Sequence, residues 1–279
     1  MGFLTIIRDS VRNTVYENFG RAVQNDSHEY MVYLLDNFHE ALNERRTPTV
    51  ADVATTPDVA TTPVVAAVAV ESTMTSKAQT GWDAFVARNT SPVVDLFFGM
   101  IRKTIECSHC KNRSYQWETF NVFKIPCEGT TFQEWVRAEC GTTDLEGYEC
   151  TPCNKAGAGR QNAHIYSHLW RLPSSLFVAL RRFQPDGRKI MTPCPPLEGA
   201  VTFAEYFAEE SDHPSKQWTY ECRGIADHHG GHMGGHYSAQ TAHPVSNEWW
   251  WIDDAMSQPL PSGPRFGSSN YILYFRRVM

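Results

Sequence analysis

Two patterns in the sequence carry chemistry. Cys107-Ser108-His109-Cys110 and Cys150-Thr151-Pro152-Cys153 are CxxC pairs with residues 111–149 between them. Each pair is a knuckle whose turn aims two thiolates at one ion, and two knuckles complete a tetrahedral site. All four ligand positions are then filled, so the pattern predicts one structural zinc and not a hydrolytic one. A redox-active CxxC would accompany a βαβ pattern, and neither pair does. The second pattern is HHGGHMGGHYSAQ at residues 228–240, with four histidines and four glycines. His228, His232 and His236 have the spacing of one helix face, where they could bind a metal. The glycines between them each cost a helix about 1 kcal/mol relative to alanine. A flexible loop leading into a strand is the expectation instead.

That strand is read over residues 236–242, with a turn at residues 244–247 and a returning strand over residues 248–254. A hairpin folded about positions 244 and 245 sets His236 opposite Asp253, with Cβ atoms about 5 Å apart. A carboxylate facing an imidazole fixes its tautomer and stabilises the imidazolium, as in nucleophilic triads. The glycines let another backbone pass close to the loop. His229, His232 and His243 are read as polar loop residues, and Trp249 and Trp251 as core.

Other elements must position these groups. Apolar residues at Tyr30, Met31, Leu34, Leu35, Phe38 and Leu42 recur at helical spacing. Asp26 is placed to cap that helix, with Glu29 three positions on. Residues 130–140 predict a short helix capped by Thr130 or Thr131. Strand patterns follow in FFGMIRKTIECSHC, YQWETFNVFKIP, HIYSHLW, SSLFVALRRF, YECRGIAD, HYSAQTA, WWWIDD and NYILYFRR. A first helix followed by many strands predicts an α+β fold. Residues 47–80 break the pattern. VATTP occurs twice there, Thr, Pro, Ala and Val dominate, and such a tract buries too little surface to offset its ordering entropy. It is expected as a disordered insertion in a loop.

The formal charge of −6 disfavours a general nucleic-acid binder, which needs a basic face. The opening MGFLTII is broken by Arg8 and Asp9, and the apolar run at 64–70 is far below a membrane span. No nucleic-acid or membrane partner is expected. Eight cysteines without a secretory leader indicate thiols or metal and an intracellular protein, cytoplasmic or nuclear. Cys127, Cys140, Cys194 and Cys222 are read as small buried hydrophobes.

GGHMGGHYSAQ, EWWWIDDAMS and NYILYFRR together resemble the histidine box of the ubiquitin-specific proteases. QNDSHEYMVYLLDNFHEAL is similar to their QDxHEF helix, with Asn25 and Tyr30 as departures. FFGMIRKTIECSHC and YECTPCN resemble their zinc-binding fingers, and LWRLPSSLFVALRRF their core palm strand. The motifs stand in family order over residues 24–277, apart from the VATTP insertion. The resemblance implies a papain-like right hand, with fingers over residues 100–155 and a palm with the histidine box over residues 200–279, all within one partial domain of residues 1–279. It implies cysteine-type hydrolysis of the isopeptide bond after ubiquitin's C-terminal glycine, with ubiquitin or ubiquitinated proteins as partners. His236 becomes the general base, Asp253 its orienting acid and Asp254 a second acid. Asp26 and Glu29 would meet the basic ubiquitin tail, His228 would line the channel for its glycines, and Cys107, Cys110, Cys150 and Cys153 would hold zinc. The family's nucleophile lies in a Cys box upstream of the QDxHEF helix, and no cysteine stands before Gln24. The expectation is a truncated thumb and a chain inactive by itself, since base and orienter without a nucleophile run no covalent catalysis. A non-catalytic ubiquitin-binding pseudoenzyme is the alternative, and a zinc-fingered interaction module a more distant one.

Overall fold

The computed structural model describes residues 11, 12, 14, 16–21, 23–44, 74–209, 211 and 218–278. Residues 47–73 of the expected disordered insertion lie outside these. Its last part, residues 74–80, is helical instead, as the start of a helix over Met74–Val86. Ala78 and Trp82, one turn apart on that helix, are buried at 0% and 7% exposure, so a packed face overrides the irregular composition before it.

In chain order the helices are α1 (Ser27–Leu42), α2 (Met74–Val86), α3 (Pro92–Phe97), α4 (Phe132–Cys140) and α5 (Thr151–Lys155). The strands are β1 (Gly99–Cys107), β2 (Arg113–Phe120), β3 (Val122–Pro126), β4 (Thr143–Tyr148), β5 (Gln161–Arg171), β6 (Ser175–Arg181), β7 (Ala200–Thr202), β8 (Thr219–Gly231), β9 (Gly234–Ala242), β10 (Trp249–Asp253), β11 (Met256–Leu260) and β12 (Asn270–Arg277). They form two sheets. An antiparallel sheet of order β2-β1-β5-β4 carries the four knuckle cysteines at one end. It runs on to Arg171, past the expected limit at 155, because β5 pairs with both β1 and β4. An eight-stranded sheet has the order β11-β10-β9-β8-β12-β6-β3, with β7 beside the first part of β8. β3 and β6 are its parallel pair, and β4, α4 and β5 lie on the connection between them.

The main core lies under α4. Thr131 accepts from Glu134 N at 3.2 Å, and Glu134 accepts from Thr131 N at 3.0 Å, a complete capping box. The helix that follows buries Phe132, Trp135 and Val136 among Leu176, Val178, Phe203 and Phe275. Full burial of each such large side chain contributes about 1.5–3 kcal/mol. β6 lies between β12 and β3, which is why its sequence reads as a nearly unbroken apolar run. α1 buries a narrower stripe than its apolar spacing suggests. Tyr33, Leu35 and His39 are buried, while Phe38 and Leu42 are more than half exposed. His39 is satisfied at both ring nitrogens, by Ser91 Oγ at 2.8 Å and Asn89 Oδ1 at 3.1 Å, and so ties α1 to the loop before α3. Among the described residues no helix is long and apolar enough to cross a membrane.

Candidate active site and metal centre

The histidine-glycine stretch is a β-hairpin, not a flexible loop. β8 runs to Gly231, turns through His232 and Met233, and returns as β9 with His229 opposite His236 and Gly230 opposite Gly235. The glycines allow a close crossing. A Cβ on Gly230, whose φ is +126°, would lie 2.5 Å from the Gly234 carbonyl oxygen, and one on Gly235 would lie 2.3 Å from the His229 carbonyl oxygen. These contacts are shorter than a real Cβ can make, so side chains there would force the strands apart.

β9 and β10 pair with Ala242 opposite Trp249 and Ala239 opposite Ile252. Continued by one step, this register sets Ser238 opposite Asp253, two residues from the expected His236 position. The loop 244–247 is where it was expected, but its midpoint lies between 245 and 246, one position later than the assumed fold, as the backbone bond of His243 N to Glu248 O at 2.8 Å shows. A shift of two keeps a side chain on the same face. Asp253 therefore reaches His236 diagonally, and its Oδ1 is hydrogen-bonded to His236 Nε2. Asp253 raises the His236 pKa, first through this hydrogen bond and then through its charge, with a smaller contribution from Asp254. Asp254 opens the turn into β11 with φ of 49°. Its carboxylate lies within 4.8 Å of the other two groups. With Nε2–H on the carboxylate, the neutral ring carries its lone pair on Nδ1. Among the described residues Nδ1 has no protein partner, and the side chain is half exposed.

The start of α1 is latched to this hairpin. Asp26 Oδ1 accepts from His28 N at 2.7 Å and Glu29 N at 3.2 Å, so the expected cap is present. Its other oxygen accepts from the Tyr271 hydroxyl at 2.6 Å. Ser27 N donates to Tyr237 Oη at 3.2 Å, and Gly235 N donates to Gln24 Oε1 at 3.3 Å. Glu29 is exposed and its carboxylate has no hydrogen-bond partner among the described residues. His228 is buried at 4% exposure, with ring centroids 4.7 Å from Tyr237 and 5.6 Å from Phe183. Lys189 Nζ donates to the His228 carbonyl at 2.5 Å and lies 3.2 Å from its Nδ1. Burial, and then the Lys189 charge, hold the His228 pKa below its usual value. The sequence did not mark Lys189, Tyr237, Tyr271 or Gln24 for this site. The motif order around His236 was the only signal that could have found the two tyrosines.

At the end of the four-stranded sheet the knuckles meet. Cys107 and Cys110 flank the turn from β1 toward β2, while Cys150 and Cys153 flank the start of α5. The sulfur of Cys107 lies 3.8 Å from that of Cys153, and Cys110 lies 3.4 Å from Cys150. All four sulfurs are within 4.8 Å of one another. An ion with metal–sulfur bonds of about 2.3 Å in a tetrahedron spaces its sulfurs about 3.8 Å apart, so the set is compatible with a tetrathiolate metal site. Backbone N–H groups of Cys110 and His109 pull the Cys107 thiol down to about 7, whereas burial and the neighbouring sulfurs push Cys153 up to about 12 and Cys150 is raised as well, so an ion would have to displace protons to gather four thiolates. The other four cysteines lie outside this cluster. Burial pushes Cys140, Cys194 and Cys222 up to about 12 and raises Cys127 as well, so all four are inert thiols at neutral pH.

A family profile described as ubiquitin carboxyl-terminal hydrolase matches residues 7–275. The chain belongs to this family. Among curated relatives, ubiquitin carboxyl-terminal hydrolase 5 of Saccharomyces cerevisiae is 23% identical, over 93% of this chain and 33% of its own length. Usp2 of Drosophila melanogaster is 24% identical, over 96% of this chain and 27% of its length. The chain thus spans about a third of the length of the curated relatives it matches. The Ubp8 deubiquitinating module with Sgf11, Sus1 and Sgf73, solved with bound monoubiquitin, superposes with a TM-score of 0.70 at 19% identity, over 99% of this chain and 52% of that one. The fold of this family member is therefore the mixed α/β fold seen in Ubp8, as the sequence motifs implied.

Proposed function

We propose that the chain is the base-bearing part of a cysteine-type deubiquitinase. The eight-stranded sheet is its palm, the four-stranded sheet its fingers, and ubiquitin or ubiquitinated proteins are its partners. The observation that carries the reading is the His236–Asp253 pair, with Nε2 on the carboxylate and Nδ1 open. In the reaction Nδ1 takes the proton of a cysteine thiol, and the thiolate adds to the carbonyl carbon of ubiquitin's last glycine. The C–N bond breaks as Nδ1 returns the proton to the leaving amine, and water then hydrolyses the thioester. Asp253 orients the ring and stabilises the imidazolium, and Asp254 adds negative potential beside it. Glu29 is the acid that meets the basic tail. Asp26 holds the helix start and Tyr271 in place for it, and His228, kept neutral against Lys189, forms the wall beside the tail's glycines. Cys107, Cys110, Cys150 and Cys153 hold a structural zinc, which when bound fixes the two knuckles to each other.

None of the eight cysteines suits the nucleophile. Four converge in the fingers, and the other four, two buried and two half-buried, are thiols whose raised pKa keeps them protonated. In this reading the nucleophile is supplied by residues outside these 279. The test is hydrolysis of a fluorogenic ubiquitin C-terminal amide. The chain alone gives no turnover, and the chain joined to a Cys-box segment from a complete relative gives turnover that His236→Ala abolishes. Turnover by the chain alone that is lost in His236→Ala would mean that one of its own cysteines acts. No ubiquitin binding in low-salt calorimetry would sink the ubiquitin reading. Non-catalytic ubiquitin binding is the second reading, favoured by the same four protonated thiols. A folded chimera that binds ubiquitin without cleaving it decides in its favour.

A further inference from the structure

The fingers hold a set of polar contacts outside the four sulfurs. His109 Nδ1 lies 3.6 Å from Cys153 Sγ, so a residue of the first knuckle touches a sulfur of the second. On the other side, Asp144 Oδ1 lies 2.8 Å from His164 Nδ1, and His164 Nε2 lies 3.3 Å from Ser108 Oγ. Asp144 is on β4 and His164 on β5, and the two are register partners. Ser108 is in the first knuckle, and its N–H donates to Asn162 O at 2.9 Å.

The order Ser–His–Asp is that of a hydrolytic triad, but two features point elsewhere. Ser108 lies in the knuckle turn, and its own N–H is already engaged with Asn162, so it is not free to stabilise an oxyanion. Asp144 is 83% exposed, where a triad acid is buried. What the chain does geometrically is join the first knuckle to β4 and β5, the strands on either side of the second knuckle. His109 completes the link from the opposite direction.

We propose that His109 and the Asp144–His164–Ser108 chain form an outer shell that sets how slowly the four-cysteine site loses its metal. This rests on the zinc reading above. The two knuckles come from segments forty residues or more apart in sequence, and metal escapes when one swings away from the other. His109 donates to a sulfur that would carry negative charge, which offsets part of the charge of four thiolates around one dication. His164 donates to Asp144 and accepts from Ser108, so the carboxylate fixes the tautomer that can hold the hydroxyl. Outer partners of metal ligands are commonly worth about 10- to 100-fold in retention. The Asp144–His164 contact is exposed and the other two are only part-buried, so the expected effect per residue is smaller, about 3- to 10-fold.

The experiment follows metal transfer from the zinc-loaded chain to a chromogenic chelator, with cobalt-loaded protein examined in parallel by absorption. His109→Ala speeds metal loss about 3- to 10-fold and shifts the sulfur-to-cobalt charge-transfer band. His109→Asn, whose amide N–H stands where Nδ1–H stood, returns both to near the wild-type values. Ser108→Ala and His164→Ala each speed loss without moving the band, and the double variant is no faster than the worse single one, because both cut the same chain. Thermal unfolding of the loaded variants checks that each is folded. Metal bound normally with unchanged release rates, or no rescue by His109→Asn, overturns the outer shell alone. A folded wild-type chain that takes up neither zinc nor cobalt overturns the metal reading, and this proposal with it.

Discussion

Replacing Asp26 by alanine is the perturbation that best separates the structural role of the α1 start from its binding role. The carboxylate makes three hydrogen bonds: two to the N–H groups of His28 and Glu29, and one to the Tyr271 hydroxyl. Loss of an N-cap acid costs about 1 kcal/mol. A hydrogen bond to a charged group contributes about 1.5–3 kcal/mol, and Tyr271, at 7% exposure, would be left with a hydroxyl that water reaches poorly. The expected loss for Asp26→Ala is about 2–4 kcal/mol, read from urea unfolding followed by tryptophan fluorescence. Tyr271→Phe removes only one of the three bonds and is expected to cost about 1–2 kcal/mol. The double variant should cost less than the sum by about 1 kcal/mol, the coupling of that one contact. Glu29→Ala provides the contrast. Its carboxylate is exposed and has no hydrogen-bond partner among the described residues, so stability should stay within about 0.5 kcal/mol of wild type, while ubiquitin affinity at low salt falls. If Asp26→Ala unfolds with the wild-type midpoint, the latch between α1 and β12 is not the support argued here. If Glu29→Ala binds ubiquitin as tightly as wild type, Glu29 is not the tail acid.

Three further outcomes are expected. In an NMR titration His236 should show a pKa above the ordinary histidine value, and Asp253→Asn should bring it down. Because the folded value is raised, the pair's contribution to stability is full below the unfolded histidine pKa of about 6.5 and fades as pH rises through the folded value; a His236 that titrates below 6.5 would contradict the pair. Removal of metal with a strong chelator should lower the thermal midpoint, with the first amide protection lost around residues 99–171, whereas loss beginning at β9 and β10 would place the metal elsewhere. Gly235→Ala should destabilise the chain by about 1–3 kcal/mol, since its Cβ would meet the His229 carbonyl and the His228 ring; unchanged stability would mean the hairpin is looser than this geometry.

Some of this architecture could be read directly. α1 and α4 announced themselves by a cap and a helical apolar period, and the CxxC pairs by their spacing. His236 and Asp253 were paired from the strand–turn–strand pattern, with a register two residues off. The pairing survived because strand side chains alternate, so an even error keeps both groups on one face. An odd error would have sent Asp253 to the other side of the sheet. β4 escaped notice because TDLEGY has an exposed, polar pattern with no apolar alternation. β11 escaped because MSQPL is exposed except at Leu260 and carries a proline that only an edge strand tolerates. The histidine-glycine stretch read as a loop because its glycines disfavour a helix. Here the same lack of a side chain is what lets β8 and β9 cross at Gly230 and Gly235.

The junction of α1 with the hairpin was the least legible part, because its supports are long-range contacts that no local pattern encodes. Tyr271 and Asp26 are 245 residues apart in sequence, and Tyr237 and Ser27 are 210 apart. Both contacts join the first turn of α1 to the two strands that flank β8. Tyr237 is the residue next to His236, and Gln24 holds the N–H of Gly235 on its other side. The imidazole is thus bracketed by two bonds to the α1 start, while its ring is oriented by Asp253 from β10. Neither bracket touches the ring, so each acts on where the backbone of β9 sits and leaves the charge on the ring to Asp253. A change in the first turn of α1 should therefore shift the position of His236 without much altering its pKa, and a change at Asp253 should do the reverse. The placement of the His236 ring and its proton affinity are set by different elements of the fold.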